Sequence, residues 1–268
     1  MTPTIEHLYA VAFADSRHGW AVGRSGTILR TDDGERWAAQ SSGTTKHLFM
    51  VEAIDEKDAW AVGDWGVILH TENGGITWRD RSLRVDRILY SIDFADRETG
   101  WMVGEMGGVF HTRDGGTTWT EQSSGTDKTL FSVKALSAER AWAVGIDGLI
   151  LRTADGGSSW QALRGVAGST GIEDAASFDL FENPGLYEID VVGEHGYVVG
   201  DIGTVLLSED GGESWKPAPL PAEWRLRWVR GLSILPGGRG MIVGAGGLTF
   251  AVDGRQVRFS QGSRGGAS

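Results

Sequence analysis

The sequence predicts an all-β fold, a six-bladed β-propeller of four-stranded antiparallel blades, with seven blades as the alternative count. Three observations predict it. The stretch Trp142 to Trp160, WAVGIDGLILRTADGGSSW, recurs from Trp20, Trp60, Trp101 and Tyr197 and in decayed form from Met241, with successive starts 40, 41, 41, 55 and 44 residues apart. A period of about 40–45 residues with strand-like content marks an array of small sheets. Each full copy ends in a Gly-rich turn and a tryptophan. Glycine is very high, at 41 of 268 residues, as turn-rich β chains require.

The blade can be read strand by strand. Leu130-Phe131-Ser132-Val133-Lys134-Ala135 is the first strand, A, with counterparts starting at Leu8, Leu48, Leu89, Leu186 and Val229. Trp142-Ala143-Val144 is B. Gly145 and Gly148 bracket two residues, the spacing of a tight hairpin turn. Leu149 to Thr153 is C, aliphatic and β-branched. Trp160 opens D. Between C and D, Asp155 can accept hydrogen bonds from the amides of its own loop, and the glycines supply positive φ.

This C–D turn, S/T-x-D-x-G-x-S/T-W, resembles the Asp-box of sialidase-like propellers. It is complete at Thr71–Trp78 (Asn73 in the Asp place), Thr112–Trp119, Thr153–Trp160 and Ser208–Trp215. The copy at Thr31–Trp37 is one residue short, and the one around Asp253-Gly254 has lost its tryptophan. The box marks a fold and not a chemistry, since enzymes and non-enzymes share such devices.

One domain is expected over residues 1–261, with blades at about 7–45, 46–86, 87–127, 128–183, 184–226 and 227–261, and a disordered tail at 262–268. Thr4-Ile5-Glu6 is a candidate for pairing at the edge of the sixth blade. The net charge of −11 argues against nucleic acid and anionic membranes as partners. No apolar run reaches the roughly 18 residues of a membrane helix. Cysteine is absent, which excludes disulfides and thiolate zinc sites. Met1-Thr2-Pro3-Thr4 leads straight into the first strand with no signal peptide, so the location reads either as periplasmic or otherwise extracytoplasmic with a signal removed, or as cytoplasmic.

From the D-strand tryptophan to the next A-strand leucine the usual spacing is 11 residues, as from Trp37 to Leu48, but from Trp160 to Leu186 it is 26. The surplus lies within Gly165–Pro184 and carries Glu173, Asp174, Phe178, Phe181 and Glu182; long insertions in arrays tend to fall on the functional face. Strand order places the A–B turns and Asp-boxes at one end of the blades, and the B–C turns and D–A connections at the other.

That second end, the top, collects the candidate site. Nine of the 12 tryptophans occupy repeat positions and read as blade cement. Trp65, Trp224 and Trp228 do not, and all three map to the top, either filling gaps between blades or forming an aromatic contact surface. Two places before each A-strand start stand Glu6, Lys46, Arg87, Lys128, Pro184 and Arg227, four of them basic, near the upper mouth of a central channel. Arg81, Arg84 and Arg225 lie in the same connections. Polar A-strand residues, Glu52, Asp93, Lys134, Asp190 and Ser233, read as structural groups beside a wet channel.

Catalytic patterns are missing. Tyr9, Tyr90 and Tyr187 share one repeat position with Phe49 and Phe131 and read as core, and Tyr197 stands for a repeat tryptophan, so no tyrosine is left as a sialidase-type nucleophile. There is no G-x-S-x-G, P-loop or dinucleotide fingerprint, and the histidines show no metal spacing. No cofactor or metal is expected. Asp64, Glu105, Asp147 and Asp201 in B–C turns keep a glycosidase pair open, although turn carboxylates are far more often turn formers.

The joint pattern W-A-V-G-x-x-G-x-I-L-R-T-x-D-G-G-x-x-W with its preceding L-Y/F-x-V strand, across residues 7 to about 255, resembles the photosystem II stability/assembly factor family of plants and cyanobacteria. That resemblance implies a non-enzymatic propeller and assembly chaperone that holds a polypeptide on an arginine-rich face. By face, this falls on Arg84, Arg87, Arg225 and Arg227. The expected function is a monomeric, protein-binding scaffold for assembly of a larger, membrane-associated complex, with no membrane insertion of its own. The alternative is a glycan-binding or glycoside-hydrolase-like protein.

Overall fold

The computed structural model describes residues 4–163, 184–218, 227–253 and 256–259. The surplus segment before Pro184, with Glu173, Asp174, Phe178, Phe181 and Glu182, lies outside the described residues, as does the tail 262–268. The protein is a six-bladed β-propeller. Its strands, β1 to β24 in chain order, form six four-stranded antiparallel sheets among the described residues, each with strands in sequence order. By its contacts the chain divides into two compact units, Met1–Ala141 with Ala154–Ser159, and Trp142–Thr153 with Trp160–Ser268.

The first blade shows the pattern: β1 (Leu8–Phe13), β2 (Gly19–Gly23), β3 (Ile28–Thr31) and β4 (Ala38–Gln40). β2 reads Gly-Trp-Ala-Val-Gly and is buried at all five residues. A strand with neighbours on both edges and both faces must be apolar throughout, so its sequence does not alternate. β4, Ala-Ala-Gln, is three residues long and largely exposed, as suits an edge strand. The tryptophan precedes this strand rather than opening it. Thr4–Glu6, expected as an edge partner for the sixth blade, carry no strand, and that sheet consists of its own four.

The core lies between blades. In the first unit, Trp20, Val22 and Ile28 pack against Leu48, Val51 and Ala61 of the second blade, and Trp60, Val62 and Ile68 against Leu89, Ile92 and Met102 of the third. In the second unit, Tyr197, Val199 and Val205 meet Val229, Ile242 and Phe250. Tyr197 is fully buried, as its tryptophan-like position predicts. Of the repeat tryptophans, those of the B strands (Trp20, Trp60, Trp101 and Trp142) and Trp215 are buried. Trp37, Trp78, Trp119 and Trp160 are only half-buried and belong to the rim.

The Asp-box closes on itself. Thr112 Oγ1 accepts from Gly116 N–H at 2.9 Å, and Asp114 accepts from Thr118 N–H at 2.8 Å and from its hydroxyl at 2.7 Å. In the shortened first box, Thr31 Oγ1 reaches Gly34 N–H, three residues on rather than four, at 2.9 Å. The boxes also join neighbouring blades. Gln40 Nε2 donates to Gly74 O at 2.8 Å, Gln122 Nε2 to Gly156 O at 2.9 Å, and Trp142 Nε1 to Gly212 O at 2.8 Å.

The polar A-strand residues secure another edge. Ser91 and Asp93 accept from the N–H groups of Val133 and Ala135 at 3.2 and 2.6 Å; Glu188 and Asp190 accept from those of Leu232 and Ile234 at 2.9 and 3.0 Å. An A strand is an edge strand whose outer amides need acceptors, and the preceding blade supplies them. Asp93 is buried in this role.

His111 ends its C strand buried under Trp101, ring centroids 4.4 Å apart. Burial, then the nearby Arg113 charge, lowers its pKa to about 4. The unfolded chain takes up this proton near pH 6.5 and the folded protein only near 4, so the histidine's contribution is lost as pH falls through that window. The loss is on the order of 3 kcal/mol at most. Melting temperatures from pH 7 to 4.5 should therefore fall less steeply for His111→Phe than for the wild type; parallel curves would remove the effect.

Candidate functional site

Main-chain contacts sort the loops. In the second blade Asp64 N–H donates to His47 O at 3.0 Å, Gly66 N–H to Arg87 O at 2.8 Å and Leu83 N–H to Gly66 O at 2.9 Å. The B–C turn, the A-strand start and the D–A connection thus meet at one end. Equivalent bonds run from Arg24 N–H to His7 O and from Glu105 N–H to Ile88 O, at 2.8 and 3.0 Å. At the other end the Asp-boxes hold the A–B turns, through Gly74 N–H to Lys57 O and Gly115 N–H to Glu98 O, both 2.9 Å.

In the first unit this end carries Lys46, Trp65, Arg84, Arg87 and Lys128. Lys46 and Arg84 are exposed; Arg87 and Lys128 are half-buried. Arg87 is already engaged, with Nη1 donating to Glu121 Oε1 at 2.6 Å. Trp65 is 58% exposed, and so is no gap filler. Its backbone is left-handed, with φ 57°. The two central residues of the B–C turn are Trp65-Gly66 and their repeats Ser25-Gly26, Met106-Gly107, Asp147-Gly148 and Ile202-Gly203, both at positive φ. This sits one residue later than the glycine bracket suggests, because the second glycine belongs inside the turn. Such turns favour Asn, Asp or Gly at the first central place. Trp, Met and Ile there cost roughly 1–2 kcal/mol each. Met106, 67% exposed, is the neighbour that sequence reasoning missed; its signal was its place before the second glycine of the repeat.

The residue after each A-strand leucine corrects an expectation. Tyr9, Phe49, Tyr90 and Phe131 are not core. Tyr9 is 45% exposed and the other three are half-buried. Cross-strand register explains it: Leu48 pairs Gly63 but Met50 pairs Val62, and Leu89 pairs Gly104 but Ser91 pairs Val103. Phe49 and Tyr90 are each the extra residue of a β-bulge, which re-aims the side chain. Tyr9 occupies the same place in β1. The four rings form a row with successive centroid distances of 5.3, 5.6 and 5.3 Å.

In the second unit, Trp228 is 49% exposed. Arg227 is exposed, with Nη1 3.4 Å from Ala245 O. Trp224 and Arg225 lie outside the described residues. Tyr187, on its own bulge and half-buried rather than core, donates its hydroxyl to Asp201 Oδ2 at 2.8 Å. Arg230 takes the bulge position of the sixth blade, its guanidinium 4.3 Å from the Tyr187 ring centroid and 5.9 Å from that of Trp228. Sequence reasoning missed Arg230, although it stands where the other repeats have an aromatic residue.

Two of the B–C turn carboxylates serve the backbone. Asp64 Oδ2 accepts from His47 N–H at 3.2 Å and Glu105 Oε2 from Ile88 N–H at 2.9 Å. Among the described residues no group of three or more His, Asp or Glu side chains is placed to hold a metal, and no helix is long and apolar enough to cross a membrane.

A family model described as photosynthesis system II assembly factor YCF48 matches residues 2–84 and again 76–167. The chain belongs to this family. The matched residues span the first four blades of the repeat read above, and the fifth and sixth continue it. No curated protein sequence matches the chain significantly. Among solved structures, YCF48 from Cyanidioschyzon merolae is 18% identical over 94% of this chain and 97% of that one, with a TM-score of 0.56. The structure described as YCF48 bound to D1 peptide is 17% identical over 97% and 94%, with a TM-score of 0.49. The GH74 xyloglucanase from Xanthomonas campestris is 14% identical over 96% of this chain but only 46% of its own, with a TM-score of 0.71. At such identities the likeness concerns the fold, which the YCF48 family shares with an enzyme.

Proposed function

We propose that this protein is a non-enzymatic assembly factor that holds an extended polypeptide on the face bearing its B–C turns and D–A connections, in the assembly of a larger, membrane-associated complex. Membership of an assembly-factor family supports the assembly role. The observation that carries the binding face is the pair Trp65 and Met106, both exposed and both at left-handed positions. Their cost is not offset by burial, and strain kept at an exposed site points to function. A flat ring grips a peptide with little loss of entropy, and a flexible methionine adapts to the surface it meets. Lys46, Arg84 and Lys128 would serve the same segment, with cations for its carboxylates, and Arg227 and Trp228 are retained as candidates in the second unit. Arg87 would first have to share or leave Glu121. Arg225 and Trp224 are retained as candidates on sequence alone. Against the glycosidase alternative stand Asp64 and Glu105, each of which accepts a backbone amide as a turn former does.

Trp65→Gly tests this reading, because loss of function and gain of stability should coincide. Glycine relieves the left-handed strain, so the melting temperature should hold or rise, by about 1 kcal/mol of stability. Capture of chains from an extract of the source organism, an integral membrane protein among them, should fall sharply. Undiminished capture by Trp65→Gly combined with Met106→Gly would refute the proposed face.

A further inference from the structure

We propose that the ring row of Tyr9, Phe49, Tyr90 and Phe131 is a subsite for an arginine side chain of the bound polypeptide; the proposal rests on the reading above. Tyr9, Phe49 and Tyr90 are presented by bulges on successive A strands and Phe131 stands at the same repeat position; all four are partly exposed and lie at the end of the blades that carries Trp65 and Met106. The chain itself shows what such a place holds. In the sixth blade the same bulge position is Arg230, and its guanidinium lies over the Tyr187 ring at 4.3 Å, while Asp201 of the B–C turn binds the Tyr187 hydroxyl at 2.8 Å. A ring paired with a turn carboxylate recurs in the first unit, as Phe49 with Asp64 and Tyr90 with Glu105, at the same repeat positions. The Tyr90 phenol is held above its ordinary value by burial first and then by Glu105 and Asp64, so both carboxylates are close enough to act on a charge at that ring. The opposing charges are Lys46, Arg87 and Lys128, three residues upstream of Phe49, Tyr90 and Phe131; that of Arg87 is met by Glu121 at 2.6 Å. A cation over an aromatic face beside carboxylates is attracted by both.

The probe is Nα-acetyl-arginine methylamide, titrated into the full chain and read by aromatic NMR shifts. Its citrulline counterpart keeps the shape without the charge, and its glutamate counterpart reverses the charge. The arginine probe should move the Tyr9, Phe49, Tyr90 and Phe131 signals and bind about 5- to 30-fold more tightly than citrulline. Phe49→Leu with Tyr90→Leu should abolish that preference at unchanged melting temperature, and Glu105→Gln should weaken it. Equal binding of arginine and citrulline, tighter binding of glutamate, or an unchanged preference in the double variant would overturn the subsite. If the double variant loses the probe preference while the wild type captures no polypeptide, the subsite stands and the polypeptide reading falls. If capture depends on Trp65 but the wild type ignores the arginine probe, the polypeptide reading stands and the subsite falls.

Discussion

Trp60→Ala should cost about 3–5 kcal/mol of stability, the range for removing a large buried ring. The Trp60 ring lies flat on His70, centroids 3.8 Å apart and planes 9° apart, and meets Phe94 and Trp119 at 5.6 and 6.2 Å. Its far edge lies against Gly116 in the Asp-box of the next blade. Alanine would leave a void bounded by two blades, which neither can fill by moving alone. Urea unfolding of the wild type, Trp60→Ala and Trp160→Ala checks the claim. Trp160 has the same repeat character in sequence but is half-buried, so its loss should be clearly smaller. Equal losses would show that rim and inner tryptophans do not differ as argued.

Gly116→Ala should cost about 2–4 kcal/mol, from two sources that can be separated. Its φ is 75°, which disfavours any side chain, and an added Cβ would fall 2.3 Å from Trp60 Cη2. Gly125 is the matched control. It has φ 73° with nothing within 4 Å of an added Cβ, so Gly125→Ala pays only the backbone cost, about 1 kcal/mol. The difference between the two substitutions is the contact between blades. If both cost the same, the Asp-box glycine serves its own turn and not the tryptophan of the preceding blade.

Much of the molecule was legible in the sequence. The recurrence of Trp-Ala-Val-Gly and of the Asp-box set blade number, strand order and the side on which each loop falls. These depend on local backbone preference, which is repeated at a fixed interval and so reads the same in every copy. The odd position of Trp65 was visible for the same reason, since a tryptophan outside the repeat pattern stands out against it. Met106 and Arg230 were visible in principle, as departures at single repeat columns, but neither residue type is unusual enough to stand out.

What sequence alone did not determine was the direction in which several side chains point. Leu-Tyr-Ser-Ile in the third blade reads as an apolar strand, and only the pairing of Leu89 with Gly104 and Ser91 with Val103 shows Tyr90 to be the surplus residue turned out of the core. Likewise, Asp93 reads as a polar residue beside water until the Ala135 amide is found 2.6 Å away on another blade, and Arg87 reads as a free cation until Glu121, 34 residues on, is found against it. In each case the deciding partner is distant in the chain. Turn type and strand identity follow from neighbouring residues, so the repeat records them. Register shifts, ion pairs and inter-blade bonds follow from which strand lies alongside, and that is settled only when the blades pack.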